Sequence, residues 1–171
     1  QGGSGAATGY VVYRSTNGYG FGNPVGVTGA TSIVISNLSV STDHYFRVAA
    51  VNAGGESFPS ESVGCRVQGS GSHRVLVVNA FDRFDRTTNL RQDVTVEGYS
   101  PPDGSGVIER VWPQRVNAFD YVVAHAQAVS ASRFAYDSCQ NEAIASGVSS
   151  LSDYPIVVWA CGQESTADET F

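Results

Sequence analysis

Short apolar runs separated by turn residues occupy the first third of the chain. Residues 10–14 form a run of β-branched and aromatic residues that ends in Arg14, and the Asn17-Gly18 pair that follows shortly is a strong turn signal. Ile33 and Ile35 share one face of residues 31–35, and Phe46, Val48 and Ala50 share one face of residues 46–50. A last strand is predicted for residues 61–67. Short strands at this spacing predict an all-β sandwich.

The hydrophobic pattern changes after residue 73. Residues 74–79 form a continuous apolar run, which is typical of a parallel strand buried on both faces. Apolar residues then recur at helical spacing over residues 119–132. A strand, a helix and a strand are predicted next, over residues 133–137, 138–146 and 154–160. This order predicts an α/β doubly wound parallel sheet, either flavodoxin-like or amidotransferase-like.

The two patterns divide the chain into two predicted modules. Residues 1–67 form the all-β module, residues 68–73 are a Gly/Ser linker, and residues 74–171 form the α/β module. Residues 87–115, rich in Gly, Pro and polar residues, are predicted to be an insertion in the second module. We expect the first module to be truncated at its start and the second at its end.

Residues 38–54, with the sequence LSVSTDHYFRVAAVNAG, resemble the turn and sixth strand of fibronectin type III domains. The resemblance implies that the all-β module is a fibronectin type III sandwich, a fold that serves as a spacer or a binding module. Those domains place a corner Tyr six residues after the Leu, but this chain has His44 six residues after Leu38. We expect His44 to be structural and to donate to the backbone itself.

A second resemblance is carried by residues 116–123, by residues 152–154, by Trp159 and by residues 162–171. These segments resemble a family of large secreted bacterial proteins named xanthan lyase or N-acetylmuramoyl-L-alanine amidase. The resemblance implies a secreted or cell-surface multidomain protein with polysaccharide or peptidoglycan as its partner. Other domains of the same polypeptide would accompany it.

The charge of the chain restricts its partners. The net charge is −6, and the ten basic residues are scattered rather than gathered in a stripe. Neutralising a phosphate backbone needs clustered basic residues, so nucleic acid is not expected as a partner. No apolar run reaches the roughly 20 residues that span a bilayer, so no membrane span is predicted.

Candidate catalytic residues follow two of the predicted parallel strands. Asp82 and Asp85 come after the first strand, and Glu164 and Ser165 come after the last. If these strands are neighbours, the four side chains converge in the crevice where open α/β sheets bind ligands. Carboxylates there serve as acid and base or bind a divalent cation, although no cofactor is otherwise evident. Alternatively, the aspartates pair with neighbouring arginines and the other two residues cap a helix.

The three cysteines, Cys65, Cys139 and Cys161, fit neither a disulfide-rich scaffold nor a zinc site. Cys139 is predicted to begin a helix and Cys161 to end the next strand, so both would lie at the same rim of the sheet. An extracellular disulfide between them is one hypothesis. Two buried free thiols are the alternative.

Two functional hypotheses follow. The first is a segment of a secreted cell-wall or polysaccharide-processing hydrolase, inactive alone and acting in the parent protein on amide or glycosidic bonds. The second is a non-catalytic extracellular module that binds or spaces other domains.

Overall fold

The computed structural model describes residues 5–68, 74–80, 90–95, 105–110 and 121–161. Ten strands and two helices lie in these residues. Strands β1 to β5 cover the first part of the chain: Gly9–Ser15, Pro24–Thr28, Asp43–Asn52, Gly55–Glu56 and Val63–Arg66. The later strands, β6 to β10, are Arg74–Asn79, Leu90–Thr95, Ser105–Arg110, Ala135–Gln140 and Ile156–Ala160. Helix α1 is Tyr121–Ala131, helix α2 is Asn141–Ala145, and a 3₁₀ turn covers Leu151–Asp153.

Eight strands form one mixed sheet in the order β10-β6-β9-β5-β3-β1-β2, with β4 also paired to β3. Strand β6 is parallel to β9 on one side and to β10 on the other. Strand β9 pairs antiparallel with β5, so the sheet continues from the second half of the chain into the first. Strands β7 and β8 form a separate antiparallel pair.

The predicted fold class of an all-β sandwich plus an α/β doubly wound parallel sheet is therefore wrong. Only β10, β6 and β9 are mutually parallel, and the described residues hold just two helices, one of five residues. A doubly wound sheet needs helices over both faces, whereas here β9 pairs with an antiparallel strand from the first half. A fibronectin type III sandwich in the first half stays a prediction, as do the boundaries at residues 67 and 74.

Several predicted elements differ from the structure. Residues 31–35 form no strand, and the edge position beside β1 belongs instead to β2. The helix predicted for residues 138–146 is shorter, because β9 continues through Gln140 in register with β6. The predicted insertion contains the hairpin strands β7 and β8.

The core lies where α1 covers the sheet. Val122, Val123 and Ala126 of α1 pack with Val75 and Val77 of β6, with Tyr136 of β9 and with Tyr45 of β3. Four consecutive β6 residues, Val75 to Val78, are each at most 2% exposed, which confirms the prediction that this run is buried on both faces. One core therefore draws on strands from both halves of the sequence.

A hydrogen bond attaches α1 to the first half. Asp43 of β3 accepts a hydrogen bond from Ser130 Oγ at the end of α1 and pairs with Arg66 of β5 at 3.1 Å. After the helix ends, Arg133 takes a φ of 60°, the left-handed conformation that commonly follows a helix C-terminus. Together with its packing on β6 and β9, this bond fixes the helix to strands on both sides of the predicted linker.

His44 has the structural role expected for it. It is 2% exposed, and its Nε2 lies 3.0 Å from the carbonyl oxygen of Ser39. With the proton on Nε2, the ring donates to the backbone five residues upstream. This contact resembles the corner hydrogen bond of fibronectin type III domains.

Candidate ligand site at the carboxyl ends of the parallel strands

The three parallel strands end level with one another. Register places Asn79 of β6 between Gln140 of β9 and Ala160 of β10. In open sheets with parallel strands, ligands bind beyond these carboxyl ends. The side chains at this edge therefore define the candidate site.

Asn79 is at the centre of a polar cluster at this edge. Its Nδ2 donates to Gln140 Oε1 and to Glu61 Oε2, each at 2.8 Å. Glu61 comes from the segment just before β5, so the cluster joins both halves of the chain. We call these three residues, Glu61, Asn79 and Gln140, the carboxyl-edge cluster.

One atom of the cluster is an unused acceptor. Asn79 is 4% exposed, and its Oδ1 is buried without a hydrogen-bond partner. A buried polar atom without a partner costs roughly 1–3 kcal/mol, so most such atoms in folded proteins are satisfied. A ligand that supplies a hydroxyl or amide donor at this point would recover that cost.

The cluster is suited to binding rather than to proton transfer. It presents amide and carboxylate oxygens, which accept hydrogen bonds from hydroxyl groups. Acid–base hydrolysis of a glycosidic bond ordinarily uses two carboxyl groups, and the cluster contains one, on Glu61. The described residues of this edge therefore offer hydrogen-bond acceptors rather than an acid–base pair.

The predicted catalytic residues Asp82, Asp85, Glu164 and Ser165 lie outside the described residues. The condition on which their convergence depended is met, because β6 and β10 are adjacent and parallel. Asp82 follows Asn79 by three residues, and Glu164 follows Ala160 by four. Their assignment as catalytic residues stays a prediction.

The hypothesised Cys139–Cys161 disulfide is absent, and all three cysteines are free thiols. Strand β6 separates the two cysteines, because Cys139 lies in β9 and Cys161 follows β10. Two strand spacings alone put their Cα atoms at least roughly 9–10 Å apart, beyond the roughly 7 Å limit for a bridge. Burial raises the pKa of Cys139 and of Cys65, which favours the protonated thiols.

A second polar group surrounds Asp137 of β9. The carboxylate pairs with Arg74 of β6 and accepts a hydrogen bond from the Tyr154 hydroxyl at 2.8 Å. The Arg74 guanidinium also lies 5.7 Å from the centre of the Tyr154 ring. Because these contacts hold the segment before β10 against the sheet, we interpret the Asp137 group as structural.

Within the part of the chain that the structure describes, no group of three or more His, Cys, Asp or Glu side chains could hold a metal ion. No helix among those residues is long and apolar enough to cross a bilayer.

Sequence reasoning missed the members of the carboxyl-edge cluster. Asn79 ends an apolar strand, and a polar residue at that position was a usable signal. Gln140 was placed in a predicted helix, and Glu61 in the other module. Only the pairing of β5 with β9 brings these two residues toward Asn79.

Comparison of this chain with protein-family models, with curated proteins and with solved structures gives no match.

Proposed function

We propose that this chain is a segment of a secreted protein that processes polysaccharide or peptidoglycan, and that the segment binds the glycan at the carboxyl-edge cluster. The observation that carries the proposal is the buried, unpartnered Oδ1 of Asn79 at the end of β6. Glycans are dense in hydroxyl donors, and the cluster offers them acceptor oxygens from three side chains. The family resemblance of the sequence supports the extracellular setting and the choice of ligand.

The test is glycan binding by a variant that removes one acceptor. Gln140→Ala deletes the amide beside Asn79, while Gln127→Ala removes an exposed amide on α1 as the matched control. Loss of one hydrogen bond is worth roughly 0.5–1.5 kcal/mol, so we expect Gln140→Ala to weaken binding about three- to tenfold. Calorimetry with xanthan oligosaccharides and soluble peptidoglycan fragments measures the dissociation constant.

A further variant tests the charge of the cluster, and two binding results would contradict the proposal. Glu61→Gln keeps the shape of the side chain but removes its charge, so it separates hydrogen bonding from electrostatic attraction. If Gln140→Ala binds both glycans as tightly as the unaltered chain does, the cluster is not the binding site. If neither glycan binds the unaltered chain, the proposed function is wrong for this segment.

Hydrolysis by the longer protein that the proposal implies is a second candidate function. The observation that favours it is the parallel pairing of β6 with β10, since the predicted carboxylates follow these two strands. The test measures new amino termini and reducing ends released from peptidoglycan and xanthan. We expect Glu164→Ala to abolish this release and Glu142→Ala, on an exposed residue of α2, to preserve it. Full activity of Glu164→Ala would contradict the assignment.

A further inference from the structure

A cavity of about 320 Å³ opens on the first half of the sheet and shares no residue with the carboxyl-edge cluster. Tyr10 and Val12 of β1 and Val48 of β3 form its apolar floor, and Ile33 closes one side. Ile33 packs closely over β2, because a Cβ built on Gly26 would lie 2.6 Å from its Cδ1. Ile33 therefore forms one wall of the cavity over the sheet.

Hydroxyl groups line the same cavity. Tyr10, Thr31 and Ser32 contribute hydroxyls for which no hydrogen bond to another described residue is found. The Thr28 hydroxyl is already engaged, since it accepts from the amide of Ala30 at 3.0 Å. An apolar floor with a few polar groups at its rim is the usual composition of a small-molecule site.

No described residue that lines the cavity carries a charge. No Asp, Glu, Lys or Arg occurs between Ser15 and Thr42, although the chain as a whole carries a net charge of −6. A charged ligand would lose hydration there without gaining an opposite charge from any lining residue. The ligand class that fits is therefore neutral, with an apolar face for the floor and hydroxyls for the rim.

We propose that this cavity binds one neutral sugar unit of a glycan chain, with the apolar face of the ring on Tyr10, Val12 and Val48. The hydroxyls of Tyr10, Thr31 and Ser32 exchange hydrogen bonds with those of the sugar. The choice of glycan rests on the proposed function, but the site is separate from the carboxyl-edge cluster.

The test uses cellotetraose and chitotetraose as probes, with amide shifts followed by NMR. We expect both neutral sugars to shift the signals of residues 10, 31 and 32. Ala30→Leu fills the cavity from its exposed rim without removing a hydroxyl, and Ala128→Leu adds the same bulk to an exposed position on α1. We expect Ala30→Leu to abolish these shifts and Ala128→Leu to preserve them.

Single hydroxyls provide a finer measurement. We expect Ser32→Ala to weaken sugar binding about three- to tenfold and Ser36→Ala, at an exposed neighbour, to leave it unchanged. Shifts with an apolar dye but with neither sugar would overturn the proposal and define an apolar site. Sugar binding that depends on Gln140 but not on Ala30 would overturn it while leaving the proposed function intact.

Discussion

Tyr154 donates to the carboxylate of Asp137, and the environment of its hydroxyl has a measurable consequence. Burial, and then the hydrogen bond to Asp137, raise the pKa of Tyr154 to about 12. Burial also raises the pKa of Tyr45 and of Tyr136. The folded chain therefore holds these protons to a higher pH than the unfolded chain, in which tyrosine titrates near about 10.

The expected result is a loss of stability at alkaline pH. A raised tyrosine pKa contributes stability that is fully present below about pH 10 and is lost as the pH rises toward about 12. We expect the free energy of unfolding to fall over this interval, and to fall less steeply in Tyr154→Phe. Urea unfolding followed by circular dichroism at a series of pH values measures both slopes.

A matched control is available for this prediction. Tyr19 is 60% exposed, so Tyr19→Phe is expected to leave the alkaline slope unchanged. At neutral pH, Tyr154→Phe should lower the free energy of unfolding by about 1 kcal/mol, the usual value of one hydrogen bond. A slope in Tyr154→Phe equal to that of the unaltered chain would contradict the prediction.

Single residues show how far the sequence could locate the candidate site. Asn79 was visible as a polar residue at the end of a buried strand, and His44 as a substitute for the usual corner Tyr. Gln140 and Glu61 were not visible, because each comes close to Asn79 through a strand pairing that no local pattern encodes. Which residues far apart in sequence form a hydrogen bond depends on the register in which their strands pair.

The turn after β1 and helix α1 are in contact, although they belong to different predicted modules. Gly18 has a φ of 82°, and a Cβ built on it would lie 2.5 Å from Cγ2 of Val123. The Asn17-Gly18 signal thus predicted the turn. It did not predict that the missing side chain of Gly18 also allows α1 to pack against this turn. The contact gives a test of element packing.

We expect Gly18→Ala to be destabilising for two reasons, and the two can be separated. An L-residue at this φ costs roughly 1 kcal/mol, and the clash with Val123 adds to it. Val123→Ala alone should cost about 2 kcal/mol through lost burial, since Val123 is fully buried. The double variant removes the clash, so its loss should be smaller than the sum of the two single losses.

The cycle is measured by chemical denaturation of all four proteins under one condition. Gly55→Ala serves as the control, because Gly55 also has a positive φ but nothing lies within 4 Å of its added Cβ. The loss of unfolding free energy in Gly55→Ala should simply add to the loss in Val123→Ala. If the losses of Gly18→Ala and Val123→Ala also add in the double variant, α1 does not contact this turn.

Elements with strong local signals were predictable, and elements defined by pairing were not. The apolar run of β6 and the helical spacing of α1 each correspond to an element in the structure. Strand β2 contains Pro24 and Gly26, which have low strand propensity, so only its pairing with β1 makes it a strand. Ser138 was assigned to a helix, but its Oγ accepts from the amide of Gly64 and donates to its carbonyl, which binds β9 to β5.

At the scale of the whole molecule, one sheet and one core connect the two predicted modules. Tyr45 of the first half belongs to the same buried cluster as Val77 of the second, and Asp43 accepts from Ser130 of α1. The predicted fold class was wrong because it assumed that each half forms a sheet and a core of its own. Periodicity reports which faces of an element are buried, but not against which partner they are buried.

This arrangement predicts that both halves unfold as one cooperative unit. Val77 is fully buried, so Val77→Ala should cost about 2 kcal/mol. If unfolding is global, amide protection in β1 and β3 should fall by the same factor as in β6 and β9, roughly 30-fold. Native-state hydrogen exchange measures each strand separately. Val148→Ala, at an 83% exposed site in the second half, is the control and should leave protection unchanged.

The alternative result would have an equally definite meaning. If Val77→Ala lowers protection in β6, β9 and β10 while β1 and β3 keep theirs, the halves open independently. The predicted boundary around residues 68–73 would then separate two units that unfold independently, in spite of the β5–β9 pairing between them. Equal losses of amide protection in both halves would instead mean that the chain unfolds as one cooperative unit. A ligand that binds only the folded state stabilises such a unit as a whole, so glycan bound at either proposed site would also stabilise the other half.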